Sequence, residues 1–326
     1  MLFRLLAIPN LNFYVNASLA AHTRFEIGGP ARLLADASTE TALIEALRAI
    51  EESGWRHTVI GGGTNLIVDD AGFDGAVVRY TGRGIEIAAT NTGGATVRIE
   101  AGAVLQDIVD ATIASGLRGL ETMTGIPGWV GGAIYGNAGA YGHSIDERVV
   151  SVRFFDGSHI HETQKIREID NSACEFRYRE SIFKRKKDWV ILSATLRLDP
   201  ANADDLRAAS ESILKIRNAK YPPTMRCAGS IFKNLMLADL PESARVQVLR
   251  EVVREGKVPS AYFLEQAGAK GMSRGAIKVA DYHANLIYND DGGTSRELLD
   301  LIAELKRRVR DQFGIELEEE VQYVGS

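Results

Sequence analysis

Cysteine is nearly absent: the 326 residues hold only Cys174 and Cys227, far apart and in no Cys-x-x-Cys pairing. That excludes a disulfide framework or a cysteine zinc site and points to a reducing compartment. No run approaches the roughly 20 apolar residues of a membrane-spanning helix, which argues against a channel or integral transporter. The opening Met1-Leu2-Phe3-Arg4-Leu5-Leu6-Ala7-Ile8 looks only faintly like a signal peptide, because Pro9 and Asn10 end it too soon for a secretory core plus cleavage site. A cytoplasmic location is expected. Nor does one sign of charge prevail: 38 Lys+Arg against 43 Asp+Glu give a net −5, so no broad basic field exists for nucleic acid or anionic lipid. Any phosphate site must be local. Internal repeats and low-complexity tracts are also missing.

What is present is an ordinary globular balance, 45 % apolar and 25 % charged, in a chain long enough for about two domains at roughly 150 residues each. Up to about residue 150 the chain is glycine-rich and built from short strand-like runs: His57–Ile60, Ala76–Tyr80 and the alternating Thr96–Glu100. Helices are expected near Glu40–Glu52, capped by Ser38 or Thr39 and stopped by Gly54, and over Val104–Ala114. From about residue 147 the pattern reads as an antiparallel meander: Val149–Phe155, a turn at Asp156-Gly157, a polar return through His159 and His161, then Trp189–Leu198. Helices follow Pro200, at Ala203–Ile216, Glu242–Glu255 and Ser295–Gln312, with a strand at Ala284–Tyr288. Strands mixed with segregated helices make the class α+β, with a boundary at Asp199-Pro200-Ala201-Asn202.

Four segments depart from what packing alone requires. In Ile60-Gly61-Gly62-Gly63-Thr64-Asn65-Leu66, glycines after a strand can present backbone amides to an anion, although this is neither the G-x-G-x-x-G fingerprint nor a P-loop. Alone, a tight glycine turn is the plainer reading. The stretch from Thr124 to Gly142 carries seven glycines in nineteen residues, a density that disfavours regular structure and suits backbone lying against a cofactor's pyrophosphate and ring. Together the two segments point to nucleotide binding. Phe176-Arg177-Tyr178-Arg179-Glu180-Ser181 and Ala228-Gly229-Ser230-Ile231-Phe232-Lys233-Asn234 combine an Arg or Ser with aromatics and, just beyond or within, a lysine. Singly they would read as a surface arginine and a turn serine.

Taken in order, these segments resemble the UDP-N-acetylenolpyruvoylglucosamine reductase (MurB) family, the flavoenzymes that complete UDP-N-acetylmuramate in bacterial peptidoglycan and cell-wall synthesis. The resemblance is carried also by His22-Thr23-Arg24-Phe25-Glu26-Ile27-Gly28-Gly29-Pro30-Ala31, Phe263-Leu264-Glu265-Gln266-Ala267-Gly268, His283-Ala284-Asn285 and Leu317-Glu318-Glu319-Glu320-Val321, and so covers nearly the whole chain. It implies a two-subdomain FAD-binding module of the vanillyl-alcohol-oxidase (PCMH-type) kind over 1–200, with subdomains about 1–80 and 81–200. A C-terminal α+β substrate domain over 201–326 would follow, its last residues returning to the first subdomain. Non-covalent FAD would lie against Gly61, Gly62, Gly63, Thr64, Asn65, Gly125, Gly131 and Gly132, held mainly by backbone amides. NADPH and the UDP-sugar would use one pocket in turn, so the missing dinucleotide fingerprint is no objection.

For catalysis the resemblance implies Arg179 to stabilise charge on the enolpyruvyl carboxylate, Ser230 to protonate the vicinal carbon, and a glutamate before valine, Glu320, with Glu318 as runner-up. A serine hydroxyl is a poor acid, so Ser230 needs a neighbouring donor, for which Lys233 or water is the expectation. Lys220, with Arg217 in support, would bind the diphosphate, and Asn234 and Gln266 would contact substrate from segments apolar enough to be buried. Leu235 stands where the family pattern has proline, and an added helical stretch is expected over 236–256. The short segment after Tyr178-Arg179 leaves no room for a long tyrosine-bearing insertion, which matches the compact type. His159 and His161 lack a third ligand and read as surface, Cys227 as a small buried residue, and no metal is expected. The alternative is an FAD-dependent oxidase or dehydrogenase of another small substrate on the same fold, and a third possibility is a nucleotide-binding regulator without turnover.

Overall fold

The structure, a computed structural model, describes residues 1–91, 93–159 and 166–325. The chain divides by its internal contacts into two compact units: Met1–Ala17, Ala31–Gly62 and Asp74–Ala219 form the first, and Ser18–Pro30, Gly63–Phe73 and Lys220–Ser326 the second. Both mix sheet and helix, the α+β class.

In the first unit a four-stranded sheet runs in the order Leu11–Ser18, Pro30–Ala37, Phe73–Tyr80, His57–Ile60, the last two parallel. The helix Glu40–Glu52 links Pro30–Ala37 to His57–Ile60, and the Thr39 hydroxyl accepts from the Ala42 N–H at its start. It buries Leu43, Ala46, Leu47 and Ile50 in the cluster that also holds Leu33, Ala35, Ala76 and Val78. A second sheet is antiparallel throughout its main path: Ile166–Asp170, Val149–Asp156, Trp189–Pro200, Ala95–Glu100, Ile85–Ala89. Trp189–Pro200 therefore lies on the opposite side of Val149–Asp156 from Ile166–Asp170, so the meander is corrected to a strand with a neighbour on each flank. Burial explains the order, since the apolar Val190–Leu198 gains a covered central place and the polar Ile166–Asp170 takes the edge. The expected return through His161, and with it the His159/His161 pair, falls partly outside the described residues.

In the second unit the antiparallel strands Ser273–Arg274, Ile277–Ala280 and His283–Asn289 pack with the helices Ser260–Gln266 and Ser295–Phe313. The core holds Phe232, Phe263, Leu298, Leu301, Leu305 and Phe313, and with them Phe25, Ile27 and Ile67 from far up the chain. That is why Ser18–Pro30 and Gly63–Phe73 belong here, and the Asn289 amide donates to the Phe25 carbonyl at 3.0 Å. The returning tail Gln322–Val324 pairs in parallel with Leu66–Val68. Contacts thus divide the chain at 219/220, not near 200. The helix Ala203–Lys220 stays with the first unit up to Ala219 because Leu206 enters its core and the Ser210 hydroxyl bonds that of Thr124 at 2.8 Å.

Two helical expectations change. Glu242–Glu255 is not one helix: only Glu242–Arg245 is α-helical, and Arg250–Val252 is a single tight turn. Val246, Val248, Val252 and Val253 are β-branched and weaken a helix, Val246 is 75 % exposed, and Glu255 and Gly256 both take positive φ at a hairpin corner. The added segment is accordingly a short ribbon, Leu235–Met236 against Lys257–Val258, with helical turns between its arms. Conversely, the second glycine segment contains a helix, Val130–Tyr135, where its glycine density argued against regular structure.

The helix Ser295–Phe313 opens on a reciprocal cap, in which the Thr294 hydroxyl accepts from the Glu297 N–H and the Glu297 carboxylate from the Thr294 N–H. Thr294→Ala should lower unfolding stability by about 1 kcal/mol in a denaturant titration. An unchanged midpoint would show that the cap contributes nothing.

Candidate active site

The glycines of the first segment are of two kinds. Gly63 has φ +68°, and a Cβ there would lie 1.8 Å from the His22 carbonyl oxygen, so the second unit's own chain demands glycine. Gly61 needs no positive φ, and a Cβ on it would meet nothing within 4 Å. In the second segment Gly132 is likewise open, whereas Gly125 has φ +75° and a Cβ on Gly131 would press on Ala101 at 3.0 Å. Nothing in the described chain explains glycine at Gly61 or Gly132. Backbone lying bare toward a flat or anionic group does explain it, so these residues fit FAD. Gly62 is backed by the Trp129 ring, 3.1 Å from where its Cβ would be. Gly61, Gly62, Gly125, Gly131 and Gly132 belong to the first unit, and Gly63, Thr64 and Asn65 to the second. Asn65 is committed to the chain as well, since its amide donates to the Glu320 carbonyl at 3.0 Å and its own carbonyl accepts from the Gln322 N–H at 2.9 Å.

Arg179, in the first unit, sits at the corner of a turn closed by both backbone bonds between Arg177 and Glu180, with φ +57°. Glycine is the usual occupant of such a corner, and a long side chain there is strained. The turn is fastened around it: the Asn137 amide donates to the Arg177 carbonyl at 3.0 Å, the Lys184 ammonium to the Arg179 carbonyl at 2.6 Å, and the Ser181 hydroxyl to the Tyr135 carbonyl at 2.8 Å. The guanidinium donates to the Gly139 carbonyl at 2.9 Å and lies 5.3 Å from the Tyr178 ring centre. A rigid, forked cation results.

The second unit brings Ser230 and Glu320 together. The segment Ser230–Lys233 runs between the strand His283–Asn289 and the tail 318–320: the Ile231 N–H donates to the Asn285 carbonyl, the Glu320 N–H to the Ile231 carbonyl at 2.7 Å, and the Lys233 N–H to the Glu318 carbonyl at 2.9 Å. Asn285, buried, locks this arrangement by accepting from the Phe232 N–H at 2.9 Å while donating to the Phe232 carbonyl at 2.8 Å and the Ser260 hydroxyl at 2.7 Å. The Ser230 hydroxyl hydrogen-bonds that of Tyr221 at 3.1 Å. Lys233, the expected helper, is 9 % exposed and ion-paired with Glu318. The acidic cluster is thereby sorted: Glu318 is bound to Lys233, Glu319 to Lys306 and Tyr323, Glu316 to Arg310.

Lys220 also belongs to the second unit, its ammonium 5.0 Å from the Tyr221 ring centre and its carbonyl accepting from the Tyr282 hydroxyl. Asn234 and Gln266 are in this unit too, but exposed, which corrects their expected burial: Asn234 falls just beyond the paired segment, and Gln266 ends the helix Ser260–Gln266 on its solvent side. The buried amide beside Ser230–Lys233 is Asn285 instead, and its signal was an asparagine inside the apolar run Ala284–Ile287. Tyr221 was passed over although it stands between Lys220 and Pro222. Burial pushes the Cys227 thiol up, which suits an inert residue. Among the described residues no cluster of three His, Cys, Asp or Glu side chains could hold a metal, and no helix is long and apolar enough to cross a membrane.

Comparison with known proteins bears on these residues. Residues 31–160 match the FAD binding domain family, and residues 221–324 match the family described as UDP-N-acetylenolpyruvoylglucosamine reductase, C-terminal domain. The chain is 58 % identical to UDP-N-acetylenolpyruvoylglucosamine reductase of Solibacter usitatus over 322 residues, 99 % of this chain and 100 % of that one. It is 33 % identical to that of Anoxybacillus flavithermus over 312 residues, covering 95 % and 93 %. Among solved structures, UDP-N-acetylenolpyruvylglucosamine reductase from Thermus caldophilus shares the fold with a TM-score of 0.71 at 23 % identity, covering 96 % of this chain and 98 % of that one.

Two measurements test the site as built. Gly61→Ala should keep the parent's melting temperature in the apoprotein yet weaken FAD binding at least about tenfold in a fluorescence titration, whereas Gly63→Ala should lower stability itself by more than about 1 kcal/mol. Equal behaviour of the two variants would erase the distinction. The His283 imidazole is pushed down to about 4 from 6.5, first by burial and then by Lys220, while its Nδ1 accepts from the Asn285 N–H. Between those values the unfolded chain binds more protons, so this contribution to stability is full above pH 6.5 and is lost as pH falls toward 4. His283→Gln should flatten that part of the melting-temperature profile, and an unchanged slope would remove His283 from it.

Proposed function

The chain belongs to the UDP-N-acetylenolpyruvoylglucosamine reductase family, and from that membership we propose how its own residues divide the work. The protein is an FAD-dependent oxidoreductase that uses NADPH to reduce UDP-N-acetylglucosamine enolpyruvate to UDP-N-acetylmuramate in peptidoglycan precursor synthesis. FAD, held by the glycine segments, would supply the hydride-transfer chemistry between NADPH and the enolpyruvyl double bond.

FAD binding is assigned mainly to the chain before the 219/220 division and sugar-nucleotide binding to the chain after it, a split supported by the matched spans 31–160 and 221–324. Gly61, Gly62, Gly125, Gly131 and Gly132 would lie against the cofactor, with Gly63, Thr64 and Asn65 shaping the end of the first glycine segment. Arg179 holds the enolpyruvyl carboxylate and offsets the charge that hydride addition places on it, for which a permanent forked cation on a fixed corner is suited. Ser230 gives a proton to the carbon next to that carboxylate, and Glu320 sets the charge beside it. The observation that carries these two roles is the 2.7 Å bond from the Glu320 N–H to the Ile231 carbonyl, which fixes the glutamate against the residue following the serine. Lys220 binds the diphosphate, and Asn234 and Gln266, being exposed, are placed to meet a ligand arriving from solvent. NADPH and the sugar nucleotide would occupy one pocket in turn, and the protein would work in the cytoplasm.

An anaerobic spectrum tests the reading. NADPH should bleach the oxidised flavin bands and the enolpyruvyl sugar nucleotide should restore them; recovery only with oxygen would favour the oxidase. Ser230→Ala should slow recovery roughly 10²-fold or more while bleaching stays near the parent rate. Arg179→Lys should also act on recovery, by about tenfold or more, through loss of the fork. Equal slowing of both half-reactions would reject these roles.

A further inference from the structure

Ser230 needs help to act as an acid, and the structure supplies a candidate other than the expected Lys233. Tyr221 and Ser230 lie in one unit, their hydroxyls 3.1 Å apart. The phenol is held from several sides. Its ring packs on the cluster of Cys227, Ala280 and Leu286, has the Lys220 ammonium 5.0 Å from its centre, and lies 6.4 Å from the His283 ring. Pro222 follows directly and restricts the Tyr221 backbone to extended conformations. The serine is held just as firmly by the bonds of the Ser230–Lys233 segment to Asn285 and Glu320.

We propose that Tyr221 is a positioning residue for the protonation step, donating its hydroxyl proton to Ser230 Oγ so that the serine's own proton points to the reacting carbon. The inference rests on the reductase reading above. After hydride has reached the terminal carbon, the electron pair on the carbon next to the carboxylate takes the Ser230 proton: the Oγ–H bond breaks and a C–H bond forms. The pair left on Oγ takes the Tyr221 proton, and the phenolate oxygen regains one from water, so both residues return to their starting state. Negative charge passing to the phenol would do so with the Lys220 ammonium 5.0 Å from its ring centre. Lys233 is unsuited to this task because its ammonium is engaged by Glu318.

Tyr221→Phe keeps the ring and removes only the hydroxyl, and stopped-flow absorbance at the flavin band separates the half-reactions. Bleaching by NADPH should stay within about twofold of the parent, which also shows the variant to be folded and loaded. Recovery at saturating sugar nucleotide should slow about tenfold or more, and the ratio of its rates in H2O and D2O should rise. In the Ser230→Ala background the same change should add nothing, because Tyr221 acts through that hydroxyl. Unchanged recovery in Tyr221→Phe, equal slowing of both half-reactions, a change in KM alone, or an additive effect in the double variant would each overturn the proposal. A parent enzyme whose reduced flavin the sugar nucleotide cannot reoxidise would instead overturn the reductase reading, and the proposal with it.

Discussion

The position of one serine hydroxyl depends on backbone hydrogen bonds that close around it from two directions. Ser230–Lys233 is not part of a long strand, yet it is bonded to His283–Asn289 on one side and to residues 318–320 on the other. Asn285 completes the pairing with its side chain, accepting from one Phe232 backbone group and donating to the other. In the proposed role, where the hydroxyl meets a reacting carbon, such support matters because small displacements of a catalytic group cost large factors in rate. The tail depends in turn on Asn65, whose amide and carbonyl bind Glu320 and Gln322. Residues at the two ends of the sequence therefore hold the segment that lies between them in the chain.

This dependence explains what the sequence could and could not show about the fold. Glu40–Glu52 was legible to the residue because its apolar positions repeat at helical spacing and Thr39 caps it. Ser295–Phe313 was legible within one residue for the same reason. By contrast, Phe25, Ile27 and Ile67 share a core with residues from Ile231 onward, far along the chain, and no local periodicity announces that. The boundary near residue 200 looked natural because Pro200 is followed by a polar run, yet the contacts of Leu206 and Ser210 outweigh it. The valine-rich 242–255 stretch has apolar residues at helical spacing, but Val246, Val248, Val252 and Val253 are β-branched and Val246 and Leu249 are exposed, so no buried face supports a helix there, and that exposure is not displayed by a single sequence.

The candidate site was legible mainly through resemblance. Without it, Arg179 is a surface arginine, Ser230 a turn serine and 316–320 an acidic patch. The fold adds where these groups lie: lysines pair with Glu318 and Glu319, and the Glu320 backbone is bonded to Ile231 and to Asn65. Tyr221 could not be found in this way, because a hydroxyl pair nine residues apart in a loop leaves no periodic trace. The buried-amide argument was sound physics applied to the wrong amides: Asn285 satisfies it, and Asn234 and Gln266 are in solvent.

Backbone preference and side-chain identity disagree at a few positions, and these are informative because packing cannot explain them. Gly61 and Gly132 have room for a Cβ and no need of positive φ, so packing among the described residues does not ask for glycine at either, and the proposed FAD contact would. Arg179 is the converse: its corner would accept glycine with less strain, and the chain instead holds an arginine there by bonds from Asn137, Lys184 and Ser181 to the turn and its surroundings. Lysine at this corner would keep the strain and the charge but lose the fork, and glycine would relieve the strain and lose both. Arginine keeps a permanent forked cation at that corner, where it meets the Gly139 carbonyl and the Tyr178 ring, and under the reading proposed above the enolpyruvyl carboxylate is a further partner suited to the fork.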